Sequence, residues 1–440
     1  MMQSKSNLKY STTFFVILFF TLSILSTAQK QGNDYFDQNF IRYDNHNYRE
    51  SIKTVQVYRI GWEDSYPVIE LEANDQLVLN FDDLSGELSN FAYSFIHCNA
   101  DWEPSDLMEM EYTSGVFENF VLDYNYSRTQ RQKYIHYRVT FPNEDIQLTR
   151  SGNYIIKIYD LDHENELVLT RRFFVAETKI GILPNIKQAS KVADRRFRHE
   201  IDFSIVENQL KIINPYQNLK VALVRNQDWN HAITGLQPTF SKGTEYVYNY
   251  DEENVFDAGN EFRFFDVRTF GYTALETESV DISSDTISVE LENDEARGYK
   301  VYVDQPDING RYLIHTDDSD ENDIDAEYAL VHFKLPYPNP ITNGDLFIYG
   351  EISNWRYGPE YKMEWNQSKR RYENLLYIKQ GYYNYLYAYR KDGQDKPDFT
   401  LIEGTHAQTE NEYTIMVYYK QPQDIYDRLI GFRTFQFPKR

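Results

Sequence analysis

The sequence predicts an all-β protein built from tandem immunoglobulin-like β-sandwich domains. Residues 91–98, FAYSFIHC, alternate strictly, with Phe91, Tyr93, Phe95 and His97 on one face and mostly smaller side chains on the other. Successive side chains of a strand point to opposite faces, so this stretch is a β-strand with a bulky face and a small face. Similar runs bounded by turn residues recur along the chain, and aromatic residues make up 16% of it. No amphipathic helical stretch of useful length follows the N-terminus.

The length and the turn-rich breaks predict several domains. A chain of 440 residues has room for two to four domains at ~100–200 residues each. The predicted parts are a signal peptide (1–28), an extended arm (29–48), an N-terminal β-sandwich (49–178), a middle β-sandwich (179–316), an acidic linker (317–325) and a C-terminal β-sandwich (326–440).

The N-terminus has the pattern of an export signal. Lys5 and Lys9 precede an apolar run over residues 14–25, and small residues follow at 26–28. The run is too short for a membrane span of ~20 residues, so a cleaved signal peptide is predicted and a membrane anchor is the alternative. No cysteine follows the run directly, so no lipid attachment is predicted there.

Charge and cysteine content narrow the function classes. The chain has 68 Asp and Glu against 45 Lys and Arg, a net charge of −23, which disfavours nucleic acid and anionic lipid surfaces as partners. We therefore expect no nucleic-acid binding, no direct membrane insertion and a monomeric chain. Cys98 is the single cysteine, so an intrachain disulfide is impossible, and a buried small hydrophobic role is expected.

Motifs of enzymes and metal sites are missing from the sequence. There is no nucleophile elbow, no zinc-protease motif, no glycine-rich phosphate loop and no cysteine pair. Asp318, Asp320 and Asn322 alternate as calcium ligands could, but the loop glycine is missing and a charged linker is favoured. We expect no catalytic residue, no metal and no cofactor. An enzyme with two converging carboxylates remains an alternative.

Four tryptophans lie at predicted strand ends beside Gly, Asp or Asn: Trp62, Trp102, Trp229 and Trp355. Rings in such loops could form a binding surface, and the alternative is that they cap the sandwich cores.

The C-terminal unit resembles glycogen- and starch-binding modules, which are β-sandwiches of the early-set class. The matching stretches are 346–350, 353–355, 381–385, 392–393 and 411–415. The resemblance implies glucan contacts for Trp355 and Asn411. The second sugar-stacking tryptophan of that family is missing after the Asp392-Gly393 turn, where Gln394 follows. An inherited fold is therefore favoured, and a glycan-binding protein for surface polysaccharide is the alternative function.

The mature chain from about 48 to 432 resembles the plug protein family of the type IX secretion system of Bacteroidota. The stretches that carry this resemblance are 52–59, 61–63, 79–84, 95–107, 169–173, 250–256, 307–312 and 426–431. The family implies a non-catalytic periplasmic protein that docks on the periplasmic opening of the outer-membrane translocon barrel and seals it. The expected anchors are aromatic residues near the most distinctive stretch: Trp62, Trp102, Tyr112, Tyr124 and Tyr126.

Overall fold

The computed structural model describes residues 40–271, 274–394 and 396–438, and these residues are nearly all β. The predicted all-β class with tandem sandwiches is confirmed. The predicted signal peptide, 1–28, and residues 29–39 of the predicted arm lie outside the described residues. Three buried hydrophobic cores divide the described part into three sandwiches.

The first sandwich comprises residues 46–176. Its first sheet runs in the order β1 (His46–Asn47), β12 (Glu166–Ala176), β11 (Gly152–Asp160), β5 (Phe91–Cys98) and β7 (Asn119–Phe120), with β3 (Val68–Glu70) paired to β12. Its second sheet runs β2 (Ile52–Arg59), β4 (Leu77–Asp83), β9 (Ile135–Phe141) and β8 (Asp123–Tyr126), and β6 (Thr113–Gly115) pairs with β10 (Ile146–Leu148). Alternate residues such as Leu79, Phe95, Tyr137 and Ile156 fill the core between the sheets.

The second sandwich combines residues from two distant parts of the chain. One sheet contains β13 (Ile180–Gln188), β14 (Arg198–Glu207), β18 (Glu245–Tyr248) and β17 (Phe240–Lys242), with β19 (Val255–Asp257) paired to β14. The other contains β16 (Asp228–Thr234), β15 (Leu219–Arg225), β29 (Asn411–Tyr419) and β30 (Arg428–Phe437).

The third sandwich lies between those two parts in sequence. One sheet contains β20 (Arg263–Asp266), β28 (Gly381–Lys391) and β23 (Tyr312–Ile314), with β25 (Gly344–Tyr349) paired to β28. The other runs β21 (Thr277–Ile282), β22 (Ile287–Leu291), β24 (Tyr328–Pro336), β27 (Arg371–Lys379) and β26 (Glu364–Asn366). The short helices are α1 (Glu109–Tyr112), α2 (Pro215–Asn218) and α3 (Asn322–Asp325), with 3-10 turns at Glu351–Ser353 and Pro359–Tyr361.

The boundaries predicted at 179–316 and 326–440 differ from the cores that the structure shows. The final two strands leave the third sandwich and complete the second, where β29 pairs with β15 from Leu219–Tyr419 to Arg225–Tyr413. The strand pattern of these residues is visible in the sequence, but the sheet that receives them is set by contacts nearly 200 residues away.

Two predicted connecting segments are ordered parts of the fold. In the arm, residues 46–47 extend the first sheet by pairing with β12. In the acidic linker, Asp325 accepts two hydrogen bonds from the Arg128 guanidinium at 2.7 and 2.6 Å. The Tyr134 hydroxyl donates to the carbonyl of Asp323, so this segment packs against the first sandwich instead of acting as a free linker.

The sandwiches meet through two kinds of joint. The small face of β5, with Cys98, packs against the outer face of β29 and β30 in the second sandwich. Between the first and third sandwiches, the Lys379 ammonium lies 2.7 Å from Asp82, and both side chains are buried. Asp82 also accepts from Tyr328 and contacts His136 at 2.7 Å. The first joint is apolar and the second is a buried polar network, and together they hold the three units against each other.

Candidate docking surface

One edge of the first sandwich exposes an unusual number of hydrophobic side chains. We call residues 108–126 the apolar edge. Eight of the 26 large hydrophobic side chains that are exposed in the described residues belong to it: Met108, Met110, Val116, Phe117, Phe120, Leu122, Tyr124 and Tyr126. Such a concentration on a soluble protein marks an interaction surface more often than isolated exposed residues do.

The sheet order places this segment at the outer side of the sandwich. β7 is the last strand of the first sheet and β8 the last strand of the second, while β1 and β2 lie at the opposite edges. Residues 119–126 therefore run from the edge strand of the first sheet to the edge strand of the second sheet on the same side of the sandwich. β8 pairs with β9 along one side, and all four of its residues are exposed. An edge strand of this kind presents backbone groups as well as side chains to a partner.

Local contacts hold the apolar edge in place although its side chains are exposed. In α1, the backbone amide of Met108 donates to the Glu111 carboxylate at 2.7 Å, and the Tyr112 hydroxyl donates to the carbonyl of Phe95 at 3.1 Å. Tyr112 thus fixes the helix to the core while the two methionines face outward. Methionine side chains are flexible and polarizable, which suits them to adaptable contact surfaces.

The charged residues of this segment are all acidic. Residues 108–126 contain four carboxylates, Glu109, Glu111, Glu118 and Asp123, and no Lys or Arg. Glu118 and Asp123 are exposed beside the hydrophobic side chains. The complementary surface of a partner would be apolar at its centre and basic at its rim.

The predicted anchors separate into exposed and buried residues. Tyr124 and Tyr126 lie in the apolar edge, with ring centroids 6.1 Å apart in a T-shaped arrangement. Trp62 is 59% exposed, but it follows β2 at the opposite edge of the same sheet. Tyr112 is buried. Trp102 is 6% exposed, so burial removes both residues from any surface that a partner can touch in this structure.

Trp102 belongs to the apolar joint between the first and second sandwiches, which we call the tryptophan joint. Its ring is T-shaped to Trp229 and to Phe174, each with centroids 5.3 Å apart. The Arg172 guanidinium lies 4.0 Å from the centre of the Trp102 ring, within cation–π range. The backbone of Trp102 has a φ of 68° in the left-handed region, which the surrounding packing must stabilise. This tryptophan caps an internal interface.

The residues of the alternative glycan site do not form a site. Trp355 is buried, with its ring T-shaped to Phe262 and to Tyr349. Asn411 is buried in β29 of the second sandwich, where its amide donates to the carbonyl of Ala258 at 2.9 Å. The two side chains lie in different sandwiches, and neither offers an open face to a sugar.

Sequence reasoning missed most of the apolar edge. Met108 and Met110 alternate with Glu109 and Glu111 as in a strand, but the structure places them at a short helix with both methionine side chains exposed, and Phe117 and Phe120 were not singled out. Leu122, Tyr124 and Tyr126 alternate with polar residues, which indicates a half-buried strand. The usable signal was the concentration of apolar residues around four carboxylates in one short segment.

Within 40–271, 274–394 and 396–438, no group of three or more His, Cys, Asp or Glu side chains could hold a metal ion. The described helices are too short or too polar to span a bilayer.

Comparisons with known proteins match the first sandwich to a family model and the chain to one solved structure. Residues 52–177 match the family model of the type 9 secretion system plug protein first domain, which covers the first sandwich. A crystal structure of a hypothetical protein from Parabacteroides merdae is 32% identical, with a TM-score of 0.87, over 90% of this chain and 100% of that chain. No curated protein matches.

Two other solved structures are too distant to support an argument. Trypsin-activated α2-macroglobulin from Escherichia coli is 9% identical, with a TM-score of 0.16, over 88% of this chain and 28% of that chain. The collagen adhesin of S. aureus is 6% identical, with a TM-score of 0.10, over 88% and 94%.

Proposed function

Because residues 52–177 match the model of the type 9 secretion system plug protein first domain, we propose that this chain belongs to that family and is a periplasmic plug that docks on the outer-membrane translocon barrel and seals its periplasmic opening. The plug role needs shape and a contact surface and no bond-making chemistry. The observation that carries the proposal is the apolar edge, because it lies within the matched first domain and displays hydrophobic side chains that are exposed among the described residues.

The joints support this role because a seal must resist deformation. The tryptophan joint fixes the first sandwich to the second, and the Lys379–Asp82 pair fixes it to the third. A rigid body loses less conformational entropy on docking than one with mobile domains, so more of the contact energy appears as affinity. The exposed Trp62 lies at the other edge of the second sheet and serves as a separate anchor if the docked surface extends that far.

A direct test compares two exposed edge-strand aromatics of equal exposure. Tyr126 on β8 and Phe240 on β17 are each 59% exposed, and they belong to different sandwiches. We expect Tyr126→Ser to weaken copurification with the barrel at least about tenfold, as truncation of a contact residue worth about 2 kcal/mol would. Phe240→Ser is the matched control and should leave recovery unchanged. Equal recovery for both variants would contradict docking through the apolar edge.

A second experiment tests sealing apart from docking. Cells that lack the protein should admit antibiotics that the outer membrane normally excludes, since the barrel is then open. Cells that carry Tyr126→Ser should show the same leak at normal protein levels. If permeability stays normal without the protein, the sealing role is wrong even where docking is observed.

A further inference from the structure

A cavity of about 1200 Å³ lies where the three sandwiches meet. Its wall is formed by residues 42–57 of the first sandwich, residues 227–230 of the second and residues 351–361 of the third, among others. It reaches the surface, because Glu360, Leu375 and Lys396 line it and are exposed. Its volume is somewhat above the range of about 300–1,000 Å³ that is typical of small-molecule sites, and it lies at an interdomain junction, where such sites are common.

The charge of this wall is opposite to that of the protein. Nine Lys and Arg residues line the cavity against four Asp and Glu, whereas the whole chain has 45 against 68. We call it the basic cavity. A concentration of positive charge in a recess of an acidic protein focuses the local potential and attracts anions.

Arg171 supplies a buried positive charge in this wall. Its side chain is 3% exposed and donates to the carbonyls of His46 and Thr170 and to the side-chain oxygens of Asn47 and Asn354. Within the described residues it forms no ion pair. Burial lowers the pKa of Arg171 to about 10, although the charge of Asp44 opposes this fall.

A second group of cations surrounds His46 nearby. The Arg356 guanidinium lies 2.7 Å from Nδ1 of His46, and Arg42 lies 3.5 Å from the same atom. Burial and the charges of Arg356, Arg42 and Arg171 lower the pKa of His46 to about 3, so its Nδ1 accepts from these guanidinium groups. The Asp44 carboxylate lies 3.3 Å from Arg356.

We propose that the basic cavity binds a small ligand through an oxyanion group, a carboxylate or a phosphate. Both groups match the planar fork of an arginine, and both would bring a negative charge near the buried Arg171, whose terminal nitrogens already donate four hydrogen bonds to protein oxygens. Asp44 occupies the position beside Arg356 that a ligand oxygen would take, so its carboxylate competes with the ligand for this arginine. This site lies at the β1–β2 side of the first sandwich, away from the apolar edge, so it does not depend on the docking role.

Calorimetric titration of the full mature chain tests this site with pyrophosphate and with citrate, each against chloride at the same ionic strength. Arg356→Gln should weaken binding about tenfold, because a hydrogen bond to a charged group is lost. Asp44→Asn should strengthen it about threefold by removing the competing carboxylate. Arg150→Gln is the control, since Arg150 is exposed and does not line the cavity.

The outcomes identify the ligand class or overturn the proposal. Binding of pyrophosphate alone assigns a phosphate ligand, binding of citrate alone assigns a carboxylate, and binding of both assigns a general oxyanion site. No binding above chloride, or binding that neither cavity variant changes, overturns it. The unmutated chain gives a second readout, because a bound anion should raise the pKa of His46, which NMR titration of the imidazole signals measures.

Discussion

The first sandwich carries two clusters of large hydrophobic side chains in opposite environments. In the tryptophan joint, Trp102 and Phe174 are covered by the second sandwich of the same chain. In the apolar edge, Leu122 and Tyr126 have no such cover. Both come from aromatic-rich stretches of one domain. Aromatic content indicates that a stretch makes hydrophobic contacts. The position of that stretch in the sheet order decides whether those contacts lie inside the chain or are left for a partner.

The largest expected effect is at the tryptophan joint. Trp102→Ala removes a buried ring that packs on Trp229 and Phe174, and such a truncation costs about 4 kcal/mol in free energy of unfolding. Urea unfolding of the purified chain measures it. Trp62→Ala, at an exposed tryptophan, should change the same quantity by less than about 0.5 kcal/mol. Similar losses in the free energy of unfolding for the two variants would contradict the difference between the buried and the exposed tryptophan.

The polar joint should be nearly as sensitive. Burial raises the pKa of the Asp82 carboxyl, but the Lys379 charge and the hydrogen bonds from His136 and Lys379 outweigh it, and the net pKa lies below its ordinary value. Lys379→Met leaves this carboxylate without its ammonium partner and should cost about 3 kcal/mol at pH 7. Because the folded-state pKa is depressed, this contribution is present above the ordinary carboxyl pKa and disappears as pH falls through the folded-state value.

A surface pair provides the control for the polar joint. Lys362 lies 3.0 Å from Asp345 with both side chains about one-third exposed, so Lys362→Met should cost less than about 1 kcal/mol. Unfolding curves at pH 7 and at pH 3 compare the variants. A Lys379→Met loss that is equal at both pH values would show that Asp82 is not the group responsible.

Glu351, which lines the basic cavity, should make the stability of the chain depend on pH. Burial raises the pKa of Glu351 to about 7, although a hydrogen bond from the Tyr312 amide and the charges of Arg311 and Arg171 oppose the rise. The folded chain therefore keeps a proton that the unfolded chain releases. Its contribution to stability declines as pH rises from about 4.5 to about 7, by at most about 1.4 kcal/mol per pH unit.

Glu351→Gln should remove this part of the slope, and the exposed Glu360→Gln should leave it unchanged. Thermal unfolding over pH 4 to 8 provides the measurement. An unaltered profile in Glu351→Gln would assign the slope to other buried carboxyls, such as Asp307, whose pKa burial also raises to about 7.

The smallest effect on stability is expected at the apolar edge. Leu122 is 79% exposed, so Leu122→Ser should change the free energy of unfolding by less than about 0.5 kcal/mol. The same variant should bind less of a hydrophobic dye in the folded state, because it removes exposed apolar area. A stability loss above 1 kcal/mol would show that this edge packs internally and is not a free contact surface.

The sequence predicted strands well where one face is buried. The alternation at Phe91, Tyr93 and Phe95 indicated both the strand β5 and its inward face, because those rings fill the first core. The small face, including Cys98, was expected to pack closely on another sheet, and it packs on the second sandwich. The local alternation of side chains was enough for these assignments, because burial of one face of a strand imposes that alternation directly.

Site residues were less predictable because exposure is not a local property. Trp102 and Tyr126 follow similar polar and turn-rich stretches, yet one is buried at a joint and the other lies on an edge strand. Arg171 and His46 are 125 residues apart and give no motif, so the basic cavity could not be read from spacing. Each of these outcomes depends on which sheets meet.

The sequence alone determined the all-β class, most strand positions and the family resemblance, because these follow from side-chain alternation and from local stretches of residues. The tertiary structure decided that β29 and β30 return to the second sandwich, that Trp102 and Trp355 are internal, and that eight hydrophobic side chains of residues 108–126 are exposed. The physical reason is that the alternation of side chains shows which face of a strand is apolar, whereas the burial of that face depends on neighbours that lie far away in the sequence.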